Sequence, residues 1–372
     1  MAVSTLLAAV VLAACGPAGG GGGGGVSGEQ GQPITLTVGY QPYYTESWSG
    51  VVMREKEFWK KHLPKGSQVN FQVGLQGSII VSQMLAGKQQ IGYTGDMPAL
   101  VAVTKRPTRD LRIVSVLGFG QDQCNIFLAK KDAPKFGDPK QAVEWMNGKK
   151  VSSPQGSCTD RFTQAVFETQ GVKPSSYLNQ SIEVIATNFE QGKIDAASIW
   201  EPNASRLVND GIAQRVASGV NFDRMDAGFL VMSQELKEKR PDVAEGWMKA
   251  ELEAQRFLAD PKNAMEIAQM AKKQTTGFEV KDLWDSLYKD WPVEQGGNPQ
   301  NVKFTLPFAP NQDVMTLVDR SVQFLNEIKT INTKELPPGA IDDSIARKVL
   351  QEQGMQDAGE VKALPESAFR GG

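Results

Sequence analysis

The 372-residue chain is poor in histidine and cysteine, with one His and three Cys. A histidine-based zinc site needs two or three imidazoles, and a Ser-His-Asp or Cys-His arrangement would have to be built on His62 alone. His62 follows two lysines, which is typical of the basic, solvated end of a helix. The chain also lacks a glycine-lysine phosphate loop, a Gly-x-Ser-x-Gly elbow, a CxxC pair and a His-Glu-x-x-His motif. We therefore expect a protein without catalysis, metal or cofactor.

A strongly basic surface is absent as well. The 40 Lys and Arg residues nearly balance the 42 Asp and Glu residues, so the net charge is 40 − 42 = −2. Proteins that bind nucleic acid usually carry a basic face, and this balance argues against a nucleic-acid partner. The 40% hydrophobic fraction is ordinary for a globular protein that buries a sizeable core.

The first 15 residues have the pattern of a signal peptide. Residues 2 to 14 form an uncharged apolar run, too short for a permanent membrane span but suited to the apolar core of a signal sequence. The run ends at Leu12-Ala13-Ala14-Cys15, which resembles the lipobox of bacterial lipoproteins. This resemblance implies cleavage before Cys15 and lipidation of its sulfur; an ordinary signal peptide or a buried cysteine is the alternative.

Residues 16 to 33 are predicted to be a flexible tether. Gly19 to Gly25 form an unbroken glycine run, which buries no apolar area and behaves as a random coil. After Cys15 no apolar stretch is long enough to span a membrane. We therefore expect an extracytoplasmic protein, in the periplasm or at the cell surface, anchored to the membrane through lipidated Cys15.

Cys124 and Cys158 are a candidate disulfide. They lie 158 − 124 = 34 residues apart, and in an oxidising compartment their pairing would contribute a few kcal/mol by loop entropy. Two separate buried thiols are the alternative, because the sequence does not give the distance between the Cα atoms.

From residue 34 the chain alternates short β-rich runs with helical patterns. Nine runs are predicted to be strands: residues 34–40, 69–73, 90–93, 111–117, 125–129, 150–152, 182–185, 196–199 and 229–232. Beyond these the pattern becomes almost wholly helical, with a frayed end from Met355 onward. Strands that alternate with helices in this way indicate βαβ units and a mainly parallel sheet, so the fold class is α/β.

The turns after the predicted strands are rich in glycine, small hydroxyl, amide and aromatic residues. Open α/β sheets bind ligands at this position, beyond the carboxyl ends of the strands and beside helix N-termini. Backbone N–H groups and positive helix ends in such turns suit a small anion or polar group.

Several blocks of sequence, in order along residues 34 to 260, share the pattern of one known family. The blocks are Gly77-Ser78-Ile79-Ile80-Val81, residues 85–98, Gly171-Val172-Lys173-Pro174, residues 189–197 and Trp200-Glu201-Pro202. They resemble the substrate-binding proteins of bacterial ABC importers for sulfonates, taurine and nitrate.

This resemblance implies a two-lobed, type II periplasmic-binding-protein fold of the venus-flytrap kind, in which hinge closure traps a ligand. Lobe one would comprise residues 34–123 and 226–372, with the helical C-terminal region packed on it, and lobe two residues 124–225. The implied partners are a small-molecule ligand and the permease and ATPase subunits of an importer. We expect a monomer.

The ligand is expected in the cleft between the lobes, in contact with residues from the turns described above. The candidate ligand contacts are Gln41, Tyr43, Gly77, Ser78, Asp96, Asp122, Gln123, Cys158, Thr159, Trp200, Glu201 and Asp226. Structural roles are the alternatives for several of them. Tyr43 and Trp200 would then be packing residues, and Ser78 would be a helix N-cap.

Asp96 departs from the family pattern, because many sulfonate and taurine binders have a small hydroxyl residue there. A carboxylate facing the cleft would repel an anion by about 4 kcal/mol at 4 Å and an effective dielectric of 20. Either Asp96 caps the helix that includes Pro98, or the ligand carries a positive group. The other acids in these turns favour the second option, since Arg161 is the basic residue found there.

The sequence therefore predicts the solute-binding component of an ABC importer, with a sulfonate- or taurine-like zwitterion as the favoured ligand. A cationic or neutral nitrogen compound, such as a pyrimidine, is the alternative ligand. A ligand-dependent sensor is the alternative role. Some proteins of this fold are enzymes that use a histidine and a bound cofactor, and the single His62 argues against that class.

Overall fold

The computed structural model describes residues 26–105 and 108–370 of the chain. The predicted signal peptide, Cys15 and the glycine run of the tether lie outside the described residues.

Twelve β-strands form two separate sheets in the described part of the chain. The strands are β1 (Thr35–Tyr40), β2 (Gln68–Val73), β3 (Ile91–Gly95), β4 (Leu111–Gly120), β5 (Ile126–Lys130), β6 (Lys150–Ser153), β7 (Ser176–Asn179), β8 (Ala196–Ile199), β9 (Ala213–Ser218), β10 (Asp226–Ser233), β11 (Val302–Leu306) and β12 (Gly359–Lys362). Short 3-10 turns lie between them, including one at Thr45–Ser47.

The α-helices of the described residues cover the faces of both sheets. They are α1 (Ser49–Lys56), α2 (Gly77–Leu85), α3 (Asp96–Thr104), α4 (Pro139–Trp145), α5 (Cys158–Gln170), α6 (Ile182–Glu190), α7 (Asn203–Asn209), α8 (Gln234–Lys239), α9 (Pro241–Ala259), α10 (Ala264–Gln274), α11 (Val280–Tyr288), α12 (Gln312–Glu327) and α13 (Ser344–Glu352). None of the helices described is both long and apolar enough to cross a bilayer.

Each sheet is mixed, and the prediction of a mainly parallel sheet is wrong. The seven-stranded sheet has the order β12-β11-β4-β10-β3-β1-β2, and the five-stranded sheet has the order β7-β6-β8-β5-β9. In the first, β1 pairs in parallel with β2 and β3, whereas β10 is antiparallel to both β3 and β4. β10 is the strand by which the chain returns from the smaller sheet, and β11 adds further antiparallel pairs with β4 and β12. We call the larger sheet with its helices lobe one, and the smaller sheet with its helices lobe two.

The segment predicted as a strand at residues 182–185 is the start of helix α6. Its buried side chains are Ile182, Ile185, Ala186 and Phe189, which follow the spacing of one helix face, while Val184 is 45% exposed. A four-residue apolar run is compatible with either structure, and here the helical periodicity prevails. The strand of this region, β7, precedes the run.

The C-terminal region packs mainly on lobe one. Trp48, Trp247 and Trp284 are fully buried in the core on one face of the larger sheet, and α3 and α12 pack together on the other face. The end of the chain is not frayed as predicted, because β12 pairs with β11 and extends the sheet. Helix α11 also reaches lobe two, where the Asn209 amide donates to Asp282 at 2.9 Å and to Asp285 at 3.1 Å.

Two crossover segments, residues 121–125 and 219–225, join the lobes side by side. The Gly219 N–H donates to the Asn125 carbonyl at 2.9 Å, which ties the second crossover to the first. A Cβ at Gly219 would collide with the carbonyl oxygens of Gln121 and Arg224. Glycine is therefore required where the two crossovers touch.

Gly219→Ala is expected to lower the free energy of unfolding by about 1–3 kcal/mol, because the added methyl group forces two backbone segments apart. Urea denaturation measures this change. Gly137→Ala is the matched control, since a Cβ at Gly137 has no neighbour within 4 Å. Equal stability of the two variants would contradict the packing described for the crossovers.

Candidate functional site

A cavity of about 110 Å³ lies between the two lobes. The cavity has room for several water molecules or for a small ligand. Of the thirteen described residues that line it, none is charged. Lobe one contributes Gln41, Tyr44, Gln76, Gly77, Ser78, Gly95 and Pro98, and lobe two contributes Pro154, Gln155, Gly156, Ser157, Cys158 and Trp200.

Three helices begin at the cavity wall. They are α2, α3 and α5, whose first residues are Gly77, Asp96 and Cys158. Two of these helices have an acidic residue in the first turn, Asp96 in α3 and Asp160 in α5. Asp96 accepts the Met97 N–H at 2.7 Å, and the Ser157 hydroxyl caps α5 by accepting the Asp160 N–H at 3.3 Å. In the described structure, no side chain caps the first turn of α2 and no acidic residue stands in it. The positive end of α2 therefore has no side-chain partner among the described residues.

The start of α2 fits closely against the start of α3. A Cβ at Gly77 would collide with the Thr94 hydroxyl and the Pro98 ring, so a glycine is needed for this approach. The contact brings the backbone of Gly77 and Ser78 to the cavity surface. This close contact explains why a glycine stands at position 77, where α2 begins.

The structure brings five of the predicted contacts together around the cavity: Gln41, Gly77, Ser78, Cys158 and Trp200. The Gln41 amide donates to the Tyr93 carbonyl at 3.3 Å, and both residues belong to lobe one. Across the cleft, the Trp200 indole N–H donates to the Tyr43 carbonyl at 3.1 Å. The lobes are thus in contact beside the cavity.

The other predicted contacts do not line this cavity, and their contact with a ligand stays a prediction. They are Tyr43, Asp96, Asp122, Gln123, Thr159, Glu201 and Asp226. The Tyr43 side chain lies beside Thr276, and the Thr159 hydroxyl bonds the Ser198 hydroxyl. Each of the four acids is buried and engaged by protein groups, because a carboxylate removed from water needs a cation or N–H donors.

Asp96 forms an ion pair that joins the lobes. Its carboxylate lies 2.7 Å from the Arg161 guanidinium of α5, and the same guanidinium donates to the Met225 carbonyl at 3.1 Å. Asp96 is 1% exposed and Arg161 is 8% exposed. Burial raises the pKa of Asp96, and the Arg161 charge opposes that rise. The positive partner expected from the ligand is therefore supplied by the protein itself.

A second buried charge network holds the first crossover. Asp122 lies 2.6 Å from the Lys303 ammonium of β11 and 3.6 Å from the Arg215 guanidinium of β9. Arg215 also pairs with Glu201 at 2.9 Å, and burial raises the pKa of Glu201 to about 7. The Gln123 amide donates to Asp122 at 3.0 Å. The cations that meet Asp122 and Glu201 therefore come from β9 and β11, which are distant in the sequence from the predicted turns.

Glu46 is a buried acid that the sequence reasoning missed. It lies in the 3-10 turn after β1, where the Tyr44 hydroxyl donates to it, and its carboxyl group meets that of Asp226. The other Asp226 oxygen accepts the backbone N–H groups of Cys124 and Asn125 at 2.9 and 3.1 Å. The sequence carries no local signal for this site, since residues 46 and 226 come together only through the insertion of β10 beside β3.

Cys124 and Cys158 form a disulfide in the structure, with Cα atoms 6.1 Å apart. The bond connects the first crossover to the start of α5, which forms part of the cavity wall. His62 lies away from the cavity, with its ring 2.6 Å from the Glu253 carboxylate of α9. Among the residues described, no cluster of His, Cys, Asp or Glu is arranged to hold a metal ion.

Comparison with known proteins assigns the chain to a family and identifies solved structures with the same fold. Residues 29–272 match the NMT1-like family. The chain belongs to that family. A taurine-binding periplasmic protein of Escherichia coli K12 is 26% identical over 237 residues, which cover 62% of this chain and 69% of that protein. The nitrate/nitrite binding protein NrtA of Synechococcus elongatus is 24% identical over 280 residues, covering 71% and 62% of the two chains.

Solved structures show that this NMT1-like chain has the type II periplasmic-binding-protein fold. The alkanesulfonate-binding protein SsuA of Xanthomonas axonopodis pv. citri, bound to MOPS, superposes with a TM-score of 0.64 at 17% identity. The superposed region covers 85% of this chain and 99% of the SsuA chain. The desulfurization enzyme DszB shares the fold, with a TM-score of 0.61 at 14% identity over 86% of this chain and 99% of its own. The curated relatives reported above are named for binding, in agreement with the expectation of a non-enzymatic protein.

Asp96→Asn and Arg161→Met are each expected to lower the free energy of unfolding by about 3 kcal/mol, because either change leaves a buried group without its charged partner. Because the two residues interact, the double variant is expected to lose less free energy of unfolding than the two single variants together. The difference is expected to be about 1 kcal/mol or more. Urea denaturation of the four proteins measures this coupling. Strictly additive losses would mean that the pair does not hold the lobes together.

Proposed function

We propose that this NMT1-like protein captures a small compound with a sulfonate or similar oxyanion group between its lobes and delivers it to an ABC permease. The observation that supports this most directly is the uncapped N-terminus of α2 at the wall of the cavity. A helix N-terminus offers free N–H groups and a partial positive charge, which together stabilise an anion.

The chemistry of the cavity favours an anion over a cation. Neutral donors surround it, namely the hydroxyl of Ser78 and the side-chain amides of Gln41, Gln76 and Gln155, whereas the Ser157 hydroxyl already donates to the Pro154 carbonyl at 2.5 Å. A cationic ligand would find no carboxylate among the lining residues, because Asp96 is turned to Arg161. The acids that favoured a zwitterion at the level of sequence therefore no longer require an ammonium group on the ligand, and we propose the oxyanion as the recognised part.

The transport role is supported by the family and by the N-terminal sequence. The relatives named above bind taurine or nitrate, so taurine is the first compound to test. The lipobox-like Leu12-Ala13-Ala14-Cys15 and the glycine run support a lipoprotein tethered outside the cytoplasm, where a permease of the same membrane is within reach.

A panel of taurine, methanesulfonate, MOPS, nitrate, ethylamine and cytosine is expected to raise the melting temperature of the protein only with oxyanion compounds. A ligand at one hundred times its Kd adds about 2.7 kcal/mol to the free energy of unfolding. Thermal unfolding with each compound measures the effect. Stabilisation by ethylamine or cytosine alone would contradict the proposed ligand class, and stabilisation by none of the six would contradict binding at this cavity.

Ser78→Asp tests the position of the anion within the cavity. A carboxylate about 4 Å from the bound oxyanion would cost about 4 kcal/mol at an effective dielectric of 20, or about a thousandfold in Kd. Ser82→Asp is the matched control on the same helix, since Ser82 is equally exposed but does not line the cavity. Equal loss of binding in both variants, measured by calorimetry, would place the anion elsewhere.

Cys15→Ala tests the proposed lipid anchor. The variant is expected to move from the membrane fraction to the soluble fraction, because the lipidated sulfur would be missing. Cell fractionation followed by immunoblotting measures the distribution. Retention of the variant in the membrane fraction would contradict the lipoprotein assignment, and Gly137→Ala, which keeps Cys15 and makes no new contact, provides the control.

A further inference from the structure

Behind the cavity, two carboxyl groups meet in the protein interior. Glu46 and Asp226 are both fully buried, at 0% exposure. Glu46 Oε1 and Asp226 Oδ1 receive no hydrogen bond from any donor in the described structure, and the two groups face each other. Two ionised carboxylates in contact would repel each other without solvent to screen them. One proton between them turns this repulsion into a strong hydrogen bond.

Few charges surround the pair. Tyr44 donates its hydroxyl to Glu46, and the Asp96–Arg161 ion pair is the charged group nearby from α3 and α5. In the sheet beneath the pair, Gly118 and Gly228 lie against Glu46 and contribute no charge. A Cβ built at these glycines would lie 3.2 and 3.3 Å, respectively, from the Glu46 Cβ. The Asp96 and Arg161 charges offset each other, so no neighbouring cation replaces the proton. Burial raises the pKa of Glu46 well above its usual range, and it raises the pKa of Asp226 as well.

The pair connects the ligand cavity with the hinge. On one side, Tyr44 lines the cavity and is held by Glu46. On the other side, Asp226 accepts the N–H groups of Cys124 and Asn125 in the first crossover. The crossovers change conformation when the lobes of such a fold open, and opening admits water to the cleft. Water around the two carboxyl groups lowers the cost of ionising both of them, so the pair then releases its proton.

We propose that Glu46 is a positioning residue of the binding site and that closure of the lobes on an oxyanion takes up one proton between Glu46 and Asp226. This inference rests on the proposed function for its ligand. The closed form holds the proton at a pH where the open form has released it. Ligand binding is therefore favoured at low pH and weakens as the pH rises.

Calorimetry of the full chain in buffers of different ionisation enthalpy tests the proton uptake, with taurine as the probe, or methanesulfonate if taurine does not bind. The wild type is expected to take up close to one proton per ligand near pH 6.5. Its Kd is expected to rise by up to about tenfold per pH unit between pH 5.5 and 7.5. Glu46→Gln keeps a hydrogen-bond donor beside Asp226 without a proton to titrate, so both effects are expected to be lost.

Glu251→Gln is the matched control for a buried carboxyl. Glu251 is fully buried in the lobe-one core, where Tyr93 donates to it at 2.7 Å, and burial raises its pKa to about 7. This variant is expected to keep the proton uptake and the pH dependence of Kd, because Glu251 does not touch the cavity or the crossovers. Proton uptake by Glu46→Gln equal to that of the wild type would overturn the proposal, as would its loss in Glu251→Gln.

Urea denaturation between pH 4 and 8 in the presence of saturating taurine, which keeps the lobes closed, gives a second test of the shared proton. A carboxyl with a raised pKa in the folded state stabilises the protein below its unfolded pKa, and this contribution is lost as the pH rises through the folded pKa. The unfolding constant of the wild type is therefore expected to rise more steeply with pH than that of Glu46→Gln, by up to about tenfold per pH unit.

The two experiments separate the two proposals. Identical pH profiles of unfolding for the wild type and Glu46→Gln would overturn the shared proton. If no panel compound binds, the proposed function fails; if a compound binds and the pH profiles of the two proteins coincide, the shared proton alone fails. If Glu46→Gln does not fold, Asp226→Asn replaces it, since the asparagine oxygen still accepts the crossover N–H groups.

Discussion

The arrangement of the lobes depends on buried carboxylates at the two places where the chain crosses between them. Asp226 begins β10 and accepts two N–H groups of the first crossover, while Asp122 lies in that crossover and pairs with Lys303 and Arg215. A charge without water is stable only with partners in fixed positions. The crossovers therefore meet the sheets in a defined geometry, and the cavity wall built by α2, α3 and α5 follows from it.

The parts of the site that the sequence predicted are those fixed by local structure. A strand followed by Gly77-Ser78 and an apolar helical run indicates a helix N-terminus at the end of a strand, and the structure has α2 there. The strand directions were not predictable in this way, because the residues of β10 carry no signal that the chain returns antiparallel between β3 and β4.

The charge of the site was not predictable for a related reason. The turns show their acids in the sequence, but the cations that neutralise them come from distant positions. Asp96 and Arg161 are 65 residues apart, and Asp122 and Lys303 are 181 residues apart. Counting charges in the turns alone therefore predicted a cationic ligand group, whereas the folded chain leaves an uncharged cavity.

The place of β10 in the larger sheet also has a consequence for the order of folding during synthesis. All five strands of lobe two lie within residues 126–218, so this lobe has its complete sheet as soon as that stretch has emerged. Lobe one lacks a central strand until residues 226–233 follow, and its β11 lies still later in the chain. The N-terminal strands therefore keep an unpaired edge at β3 until β10 is available, and β10 lies more than a hundred residues later in the chain.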